Sequence, residues 1–470
     1  MLLSRLLACL GLLLLLSGHL SGRAAAAPAP HLTGDWQGSL SAAGTDIPLV
    51  VHLQQQPDGR YTGTLDSPKQ QAYGLPIASI TVRADSVVMR LTAPAAVLAG
   101  RVSTDGQQIS ATWQQGGRSA PLTLRRQGTA GSAAPAVRRP QEPKAPFPYR
   151  AEDVTFANAG SGIRLAGTIT VPPGNGPFPA VVLVTGSGPQ DRDETIFGHR
   201  PFRVLADYLT RRGFVVLRYD DRGVGQSTGD RASYTAADGV TDAQAALAWL
   251  RQRPDVQAGK VGLIGHSEGA LIGLLAATQA NPPAFLVSLA GPALRGVEMM
   301  VRQNEDLGRA AGLPAEQLAA NKTLNQQIYL TILQTPDNQQ AQAQVTKLLT
   351  EIGMNAAQAR QQAAGLTTAW YRQLLAFNPE PLLPRVKCPV LALGGSKDLQ
   401  VAAGPNLAAW EKGVRAGGNP DVTAQELPGL NHLFQTAATG LTDEYGRLEE
   451  TFAPSALAVI GDWLARHVKK

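Results

Sequence analysis

Cysteine is nearly absent from this sequence. Of 470 residues only Cys9 and Cys388 are cysteine, and Cys9 falls inside an N-terminal leader. No intramolecular disulfide is therefore expected in the mature chain, and stability must come from packed cores. Neither His-Glu-x-x-His nor Cys-x-x-Cys occurs, so the usual local signatures of a metal site are missing, and no metal or cofactor is expected. The 42 Lys and Arg residues form no run of five or more. Without a basic stripe, nucleic acid is not an expected partner. The run 219-YDDRGVGQSTG-229 is rich in glycine but lacks the Lys-Ser/Thr that completes a phosphate loop. It reads as an Asp–Arg network fixing a loop, as do Asp191, Arg192 and Asp193. Cys388 opens an apolar strand and is expected to be inert.

The first 27 residues have a charged start at Arg5, a leucine-rich core 10-LGLLLLL-16 and a small-residue end 24-AAAAPAP-30. This is the pattern of a secretory signal cleaved near Ala27, not of a spanning helix. The expected protein is periplasmic or extracellular, with no stable membrane anchor after cleavage. The formal charge of +6 falls to about +4 without Arg5 and Arg23.

A chain of this length calls for more than one domain. Residues 28–127 carry short alternating segments, 48-PLVVHLQQ-55, 60-RYTGTLD-66, 86-SVVMRLT-92 and 108-QISATWQQ-115, divided by Pro-Asp-Gly, Asp-Gly and Gly-Gly turns. That texture predicts a small antiparallel β-barrel or sandwich with Trp36 and Trp113 in its interior. Residues 128–148 read as a Pro/Ala-rich linker. From 149 to 470, apolar strands (179–186, 214–220, 260–265, 284–291, 389–395, 422–429) alternate with helical stretches. Such alternation predicts an α/β fold, a mostly parallel sheet covered on both faces. The Gln- and Ala-rich interval from about 294 to 385 breaks the rhythm and reads as a helical cap.

The stretch 261-VGLIGHSEGALIG-273 sets Ser267 between two glycines where a strand gives way to a helix, the layout of a nucleophile elbow. A serine hydroxyl needs a neighbouring base held by a carboxylate. Of seven histidines, His19 leaves with the leader, His31 and His52 belong to the N-terminal domain, and His467 to the last helix. His266 adjoins Ser267 and should turn away from the hydroxyl, while His199 falls in a loop. His432, in 427-LPGLNHLFQ-435 after the last strand, remains as base. Asp398, after the preceding strand, is the acid. The order Ser267, Asp398, His432 is that of α/β-hydrolases. The oxyanion donors are assigned to the backbone N–H groups of Glu268 and Ser187, the latter in the loop after strand 179–186. The Glu268 carboxylate either orients substrate or pairs with an arginine.

The segments GSGPQDRD, YDDRGVGQSTG, GHSEG, CPVLALGGSKDLQV and LPGLNHLFQ together resemble a bacterial secreted α/β-hydrolase family. Its members are carboxylesterases, serine aminopeptidase S33-like proteins and relatives of the acyltransferase domain acting on bile-acid CoA thioesters. The resemblance covers roughly residues 150–468 and implies the same triad and the same cap. The sequence departs from many relatives in having 185-TGSG-188 where they show His-Gly.

The expected activity is hydrolysis of small carboxylic esters of short or medium acyl chain through an acyl-enzyme. Met299, Met300, Leu330, Trp370, Tyr371 and Phe377 are candidate pocket residues, with cap packing as their alternative role. An aminopeptidase or thioesterase using the same triad is the nearest rival, with Glu305 and Asp306 as candidate holders of a substrate amine. A non-enzymatic ligand-binding protein is the rival from another class, and the intact triad argues against it.

Overall fold

The computed structural model describes residues 31–468 apart from 43–44, 57, 68–71, 93–94, 116–117, 127–137 and 232–233. The leader expected over 1–27 lies outside the described residues. The chain divides into two compact units, one ending at Ala133 and one beginning at Ala134.

The first unit is a closed eight-stranded barrel. Strands β1 (Gly34–Ala42), β2 (Thr45–Gln55), β3 (Tyr61–Ser67), β4 (Ala72–Arg83), β5 (Ser86–Thr92), β6 (Ala95–Val102), β7 (Gln108–Gln115) and β8 (Arg118–Arg126) pair in sequence order. Pairing of β1 with β8 at Trp36 and Arg126 completes the ring, which removes the exposed edges of an open sheet. The two-residue period of a strand sorts the side chains. Along β7, Ile109 and Trp113 are buried while Ser110 and Thr112 are exposed. Trp36 and Trp113 both belong to this core, and the Trp36 indole donates to the Leu32 carbonyl at 2.9 Å.

The second unit is built on an eight-stranded sheet. Its strands are β9 (Arg150–Asn158), β10 (Ile163–Val171), β11 (Phe178–Val184), β12 (Val215–Tyr219), β13 (Val256–His266), β14 (Leu286–Leu289), β15 (Val390–Gly395) and β16 (Val422–Leu427). The order across it is β16-β15-β14-β13-β11-β12-β10-β9. Strands β11 to β16 run parallel; β10 is antiparallel to both β9 and β12. The sequence reading missed β10 and also β9, a polar outer strand with only Phe156 and Asn158 buried.

Alternate residues of β11 enter different cores. Val181 and Leu183 pack with α1 (Pro201–Arg211) and α11 (Pro454–His467). Val182 and Val184 pack with α2 (Ala236–Arg251), α3 (Glu268–Ala277) and α9 (Ala403–Ala416). Both faces are thus covered, which is why the central strands read as unbroken apolar runs. Between β14 and β15 the chain leaves the sheet to form five helices: α4 (Gly296–Ala310), α5 (Ala315–Gln334), α6 (Asn338–Glu351), α7 (Ala356–Leu366) and α8 (Ala369–Ala376). This is the cap, with its own core around Ile328, Tyr329, Ile332, Val345 and Leu375. A short helix α10 (Thr442–Tyr445) precedes α11.

The linker expected over 128–148 needs correction. Part of it lies outside the described residues, but residues 138–148 are fastened to the second unit. Arg139 donates to the carbonyls of Phe197 (3.1 Å), Gly198 (3.1 Å), Gly446 (2.9 Å) and Leu448 (2.7 Å). The Gln141 side chain accepts from Thr451 N (2.6 Å) and Phe452 N (3.1 Å) and donates to Phe452 O (2.6 Å). Composition suggested a tether; side-chain hydrogen bonds make its second half a strap. Deleting residues 28–133 should leave ester turnover within about tenfold of the full chain. Deleting 28–148 also strips these bonds from the second unit, and should lower the unfolding midpoint by at least about 5 °C relative to the shorter deletion. Equal midpoints in a thermal melt would show that the strap contributes nothing.

Candidate active site

Steric necessity creates the turn between β13 and α3. A Cβ on Gly265 would stand 2.1 Å from the Gly269 carbonyl oxygen, and one on Gly269 would stand 2.1 Å from that of Val184. Only residues without a side chain allow the helix to start this close to the sheet. Ser267, between them, takes φ 53° and ψ −116°, a backbone state rare for a residue with a Cβ. Such strain persists only where the surroundings over-determine it, and here Ser267 N is held by the Leu289 carbonyl at 2.8 Å.

Asp398 follows β15 and His432 follows β16. His432 Nδ1 meets Asp398 Oδ2 at 2.8 Å, with both residues 5% exposed. The other carboxylate oxygen accepts from Gln400 N and Val401 N, each at 2.8 Å. A proton on Nδ1, facing the carboxylate, leaves the lone pair on Nε2. No hydrogen bond of Ser267 Oγ or of His432 Nε2 occurs among the described residues; such bonds commonly tighten only when substrate is bound. The His432 loop is tied by Asn431, whose side-chain oxygen accepts from Leu433 N and Gln435 N at 3.0 Å each.

A second His–carboxylate pair, absent from the sequence reading as such, lies behind the first. Glu194 Oε1 accepts from Gly186 N (2.7 Å) and from His266 Nδ1 (2.9 Å), and His266 Nε2 donates to the His432 carbonyl (2.9 Å). His266 does turn away from the hydroxyl, and the turn gives it a task. It joins the loop after β11, the elbow and the His432 loop. Both ring nitrogens face acceptors, an arrangement that favours the doubly protonated ring. Burial opposes that charge, but attraction and hydrogen bonding to Glu194, with the His432 carbonyl, outweigh it and hold the ring above its ordinary 6.5. The signal in sequence was a histidine beside the nucleophile; its carboxylate lies 72 positions away and had no local mark. His199 is also buried, bonded to Thr451 and the Tyr445 carbonyl at 2.9 Å each, and burial lowers its pKa to about 4.

Gly186 N is occupied by Glu194, whereas Ser187 N and Glu268 N have no acceptor among the described residues. A Cβ on Gly186 would lie 3.4 Å from Ser267 Cβ, so this loop passes against the elbow. Glu268 N also opens α3, where aligned peptide dipoles favour negative charge. The Asp–Arg network expected around 191–193 and 219–222 is present. Arg192 binds Asp220 at 2.7 Å, Arg218 pairs with Asp193, and Arg222 binds Asp238 (2.6 Å) and Asp242 (2.8 Å). Burial pushes the Cys388 thiol up to about 12, which keeps it protonated.

A cavity of about 460 Å³ lies between α8 and the helices α2 and α3. Trp370 and Phe377 line it, together with Glu268. The remaining expected pocket residues do not. Met299 is buried, Met300 and Tyr371 pack on the cap core, and Leu330 is exposed on α5. The reason is helical geometry, since neighbouring apolar positions on one helix face different sides. Glu305 and Asp306 are also corrected as amine holders. Glu305 is paired with Arg309 (2.7 Å) and Lys322 (3.2 Å), and Asp306 with Arg302 (2.6 Å) and Arg309 (2.7 Å).

The raised pKa of His266 gives the bridge a pH dependence of definite sign. A raised folded-state value means the contribution is complete below about 6.5 and is lost as pH climbs past the raised value. Glu194→Gln removes the counter-charge, so the ring should lose its second proton at lower pH. The alkaline fall of kcat on a neutral ester should then begin at lower pH than in the wild type. Superimposable alkaline limbs between pH 6 and 10 would show that the bridge does not hold His432.

The model of the X-Pro dipeptidyl-peptidase (S15) family matches residues 161–426. Esterase EstD of Thermotoga maritima is 28% identical over 272 residues, 57% of this chain and 58% of that protein. The chain thus spans under two thirds of that relative's length. Among solved structures, Pyrococcus furiosus esterase Pf2001 aligns at 16% identity over 72% of this chain and all of that one, with a TM-score of 0.43. Mycobacterium smegmatis proline iminopeptidase aligns at 19% identity over 68% and 99%, with a TM-score of 0.42. Likeness of that order does not bear on substrate. The family match runs from just before β10 into β16 and takes in Ser267 and Asp398: the chain folds as an α/β-hydrolase and belongs to the X-Pro dipeptidyl-peptidase (S15) family.

Proposed function

We propose that the protein is an exported serine hydrolase acting on small carboxylic esters. The observation that carries this reading is the strained Ser267 on its elbow together with the 2.8 Å pair of His432 and Asp398. Ser267 Oγ attacks the ester carbonyl carbon while His432 Nε2 removes its proton. Asp398 fixes the tautomer and stabilises the imidazolium. The negative charge on the former carbonyl oxygen is received by Glu268 N–H and Ser187 N–H. The tetrahedral adduct collapses, His432 protonates the departing alcohol, and an acyl group remains on Ser267. Water, deprotonated by the same nitrogen, then releases the acid. Export rests on the leader composition alone.

A second reading is cleavage of an aminoacyl amide by the same triad, favoured by the family match to X-Pro dipeptidyl-peptidases. Parallel assays of p-nitrophenyl esters and aminoacyl-naphthylamides separate the two. Under either reading Ser267→Ala should reduce turnover by on the order of 10⁶ and abolish labelling by a fluorophosphonate, with an unchanged circular-dichroism spectrum. Residual turnover above about a hundredth of wild type would remove Ser267 as nucleophile.

A further inference from the structure

The stretch between α10 and α11, residues 446–453, belongs to no helix or strand, yet Thr451, Phe452 and Ala453 are buried. Backbone groups in such a stretch need partners from outside it. Gln141 of the strap supplies three bonds. Its side-chain oxygen accepts from Thr451 N (2.6 Å) and Phe452 N (3.1 Å), and its amide nitrogen donates to Phe452 O (2.6 Å). Those three backbone groups have no other hydrogen bond among the described residues. One side chain therefore fixes the path of two buried residues.

The same stretch backs the His432 loop. Ala453 N donates to Phe434 O at 2.8 Å, the Gln435 side chain donates to Glu450 O at 2.9 Å, and Thr436 N donates to the Glu450 carboxylate at 2.6 Å. The rings of Phe434 and Phe452 stack with centroids 5.6 Å apart and planes 5° from parallel. Phe434, two residues after His432, takes φ 59°, a left-handed state that persists only where the surroundings over-determine it. The Gln435 side chain also accepts from the Asn431 amide at 3.0 Å, and the Asn431 oxygen ties the turn around His432. Contacts thus run without a gap from the strap to the base. Gln141 holds 451–452, residues 450–453 hold 434–436, and Gln435 with Asn431 holds the turn.

We propose that Gln141 is a positioning residue for His432, acting through residues 450–453. The proposal rests on His432 being the base for Ser267, but not on whether an ester or an amide is cleaved. Asp398 sets the direction of the ring, and His266 holds the His432 carbonyl. Neither grips residues 434–436, the far end of the turn, which lie against the stretch that Gln141 fixes. Without Gln141, two N–H groups and a carbonyl of buried residues must find partners elsewhere. The stretch then shifts and the turn follows, so His432 Nε2 leaves its line to Ser267 Oγ. The cavity under α8 is walled by α2, α3 and α8, none of which Gln141 touches, so substrate binding is spared. The expected signature is a fall in kcat at constant KM.

The test is turnover of p-nitrophenyl butyrate by the full chain, well below its unfolding midpoint, with a thermal melt of each variant. Gln141→Met keeps the length of the side chain and removes its hydrogen bonds. A misplacement of about 1 Å can cost on the order of 10²-fold in rate. For a group one contact removed, kcat should fall by about tenfold while KM changes by less than about twofold. Gln435→Met should cost about as much. Because both act along one path, the double variant should also lose about tenfold, not the roughly hundredfold of independent sites. Should Gln141→Met fail to fold, Gln141→Glu keeps the acceptor but loses the donor, and should still lower kcat at constant KM. An unchanged kcat beside a lowered melting midpoint, a rise in KM in place of the fall in kcat, or additive losses would each overturn the proposal. If fluorophosphonate labels wild-type Ser267 and one of these outcomes appears, only the role of Gln141 has failed. If the wild type is not labelled, the triad reading and this proposal fall together.

Discussion

The structure around Ser267 depends on how closely a helix can approach a sheet. Val184 at the end of β11 lies so near α3 that any Cβ at position 269 would fall within a bond length or two of its carbonyl oxygen. Two glycines admit the approach, and everything between them is forced. The intervening residue adopts a left-handed backbone, its hydroxyl leaves the plane of the sheet, and the first N–H groups of α3 come free beside it. The strain is affordable because β13 is paired on both sides, with β11 and β14. A scaffold that rigid can hold a conformation the residue alone would avoid.

Charge then aligns the loops that the sheet brings together. Asp398 and His432 come from successive strand ends, and their hydrogen bond joins two loops that could otherwise move independently. The Glu194–His266 pair repeats the device one layer down and reaches a third loop through Gly186 N. Buried ion pairs rarely add much stability, because desolvation consumes the Coulomb gain. Their value here is geometric. With Gly186 N committed to Glu194, the neighbouring Ser187 N–H is left without an acceptor among the described residues.

Legibility followed the range of the physics involved. The elbow, the parallel strands and the order of the three triad residues are local patterns of period, turn and strand end, so the sequence displayed them. Strand β9 was hidden because its outer position allows polar residues at most sites, which erases the alternation. Glu194 was hidden because its partner, His266, is distant in sequence and nothing nearby demands a carboxylate. The strap at 138–148 looked like a linker, since its prolines disfavour regular structure without forbidding side-chain hydrogen bonds. Tyr371 and Trp370 are adjacent and aromatic, yet one packs into the cap and the other lines the cavity. That distinction is a rotation of one residue about a helix axis, too fine for composition to resolve.

The cap sets the surroundings of Glu268. An open sheet edge would leave Glu268 in water, where a carboxylate is well solvated and discriminates weakly. Helix α8 covers it with Trp370, excludes solvent and leaves the charge inside an apolar space. Lower dielectric strengthens every electrostatic interaction the group makes, including the hydrogen bond from Trp370. The insertion between β14 and β15 thus does more than roof the cavity: through Trp370 it also holds the one acid that lines it.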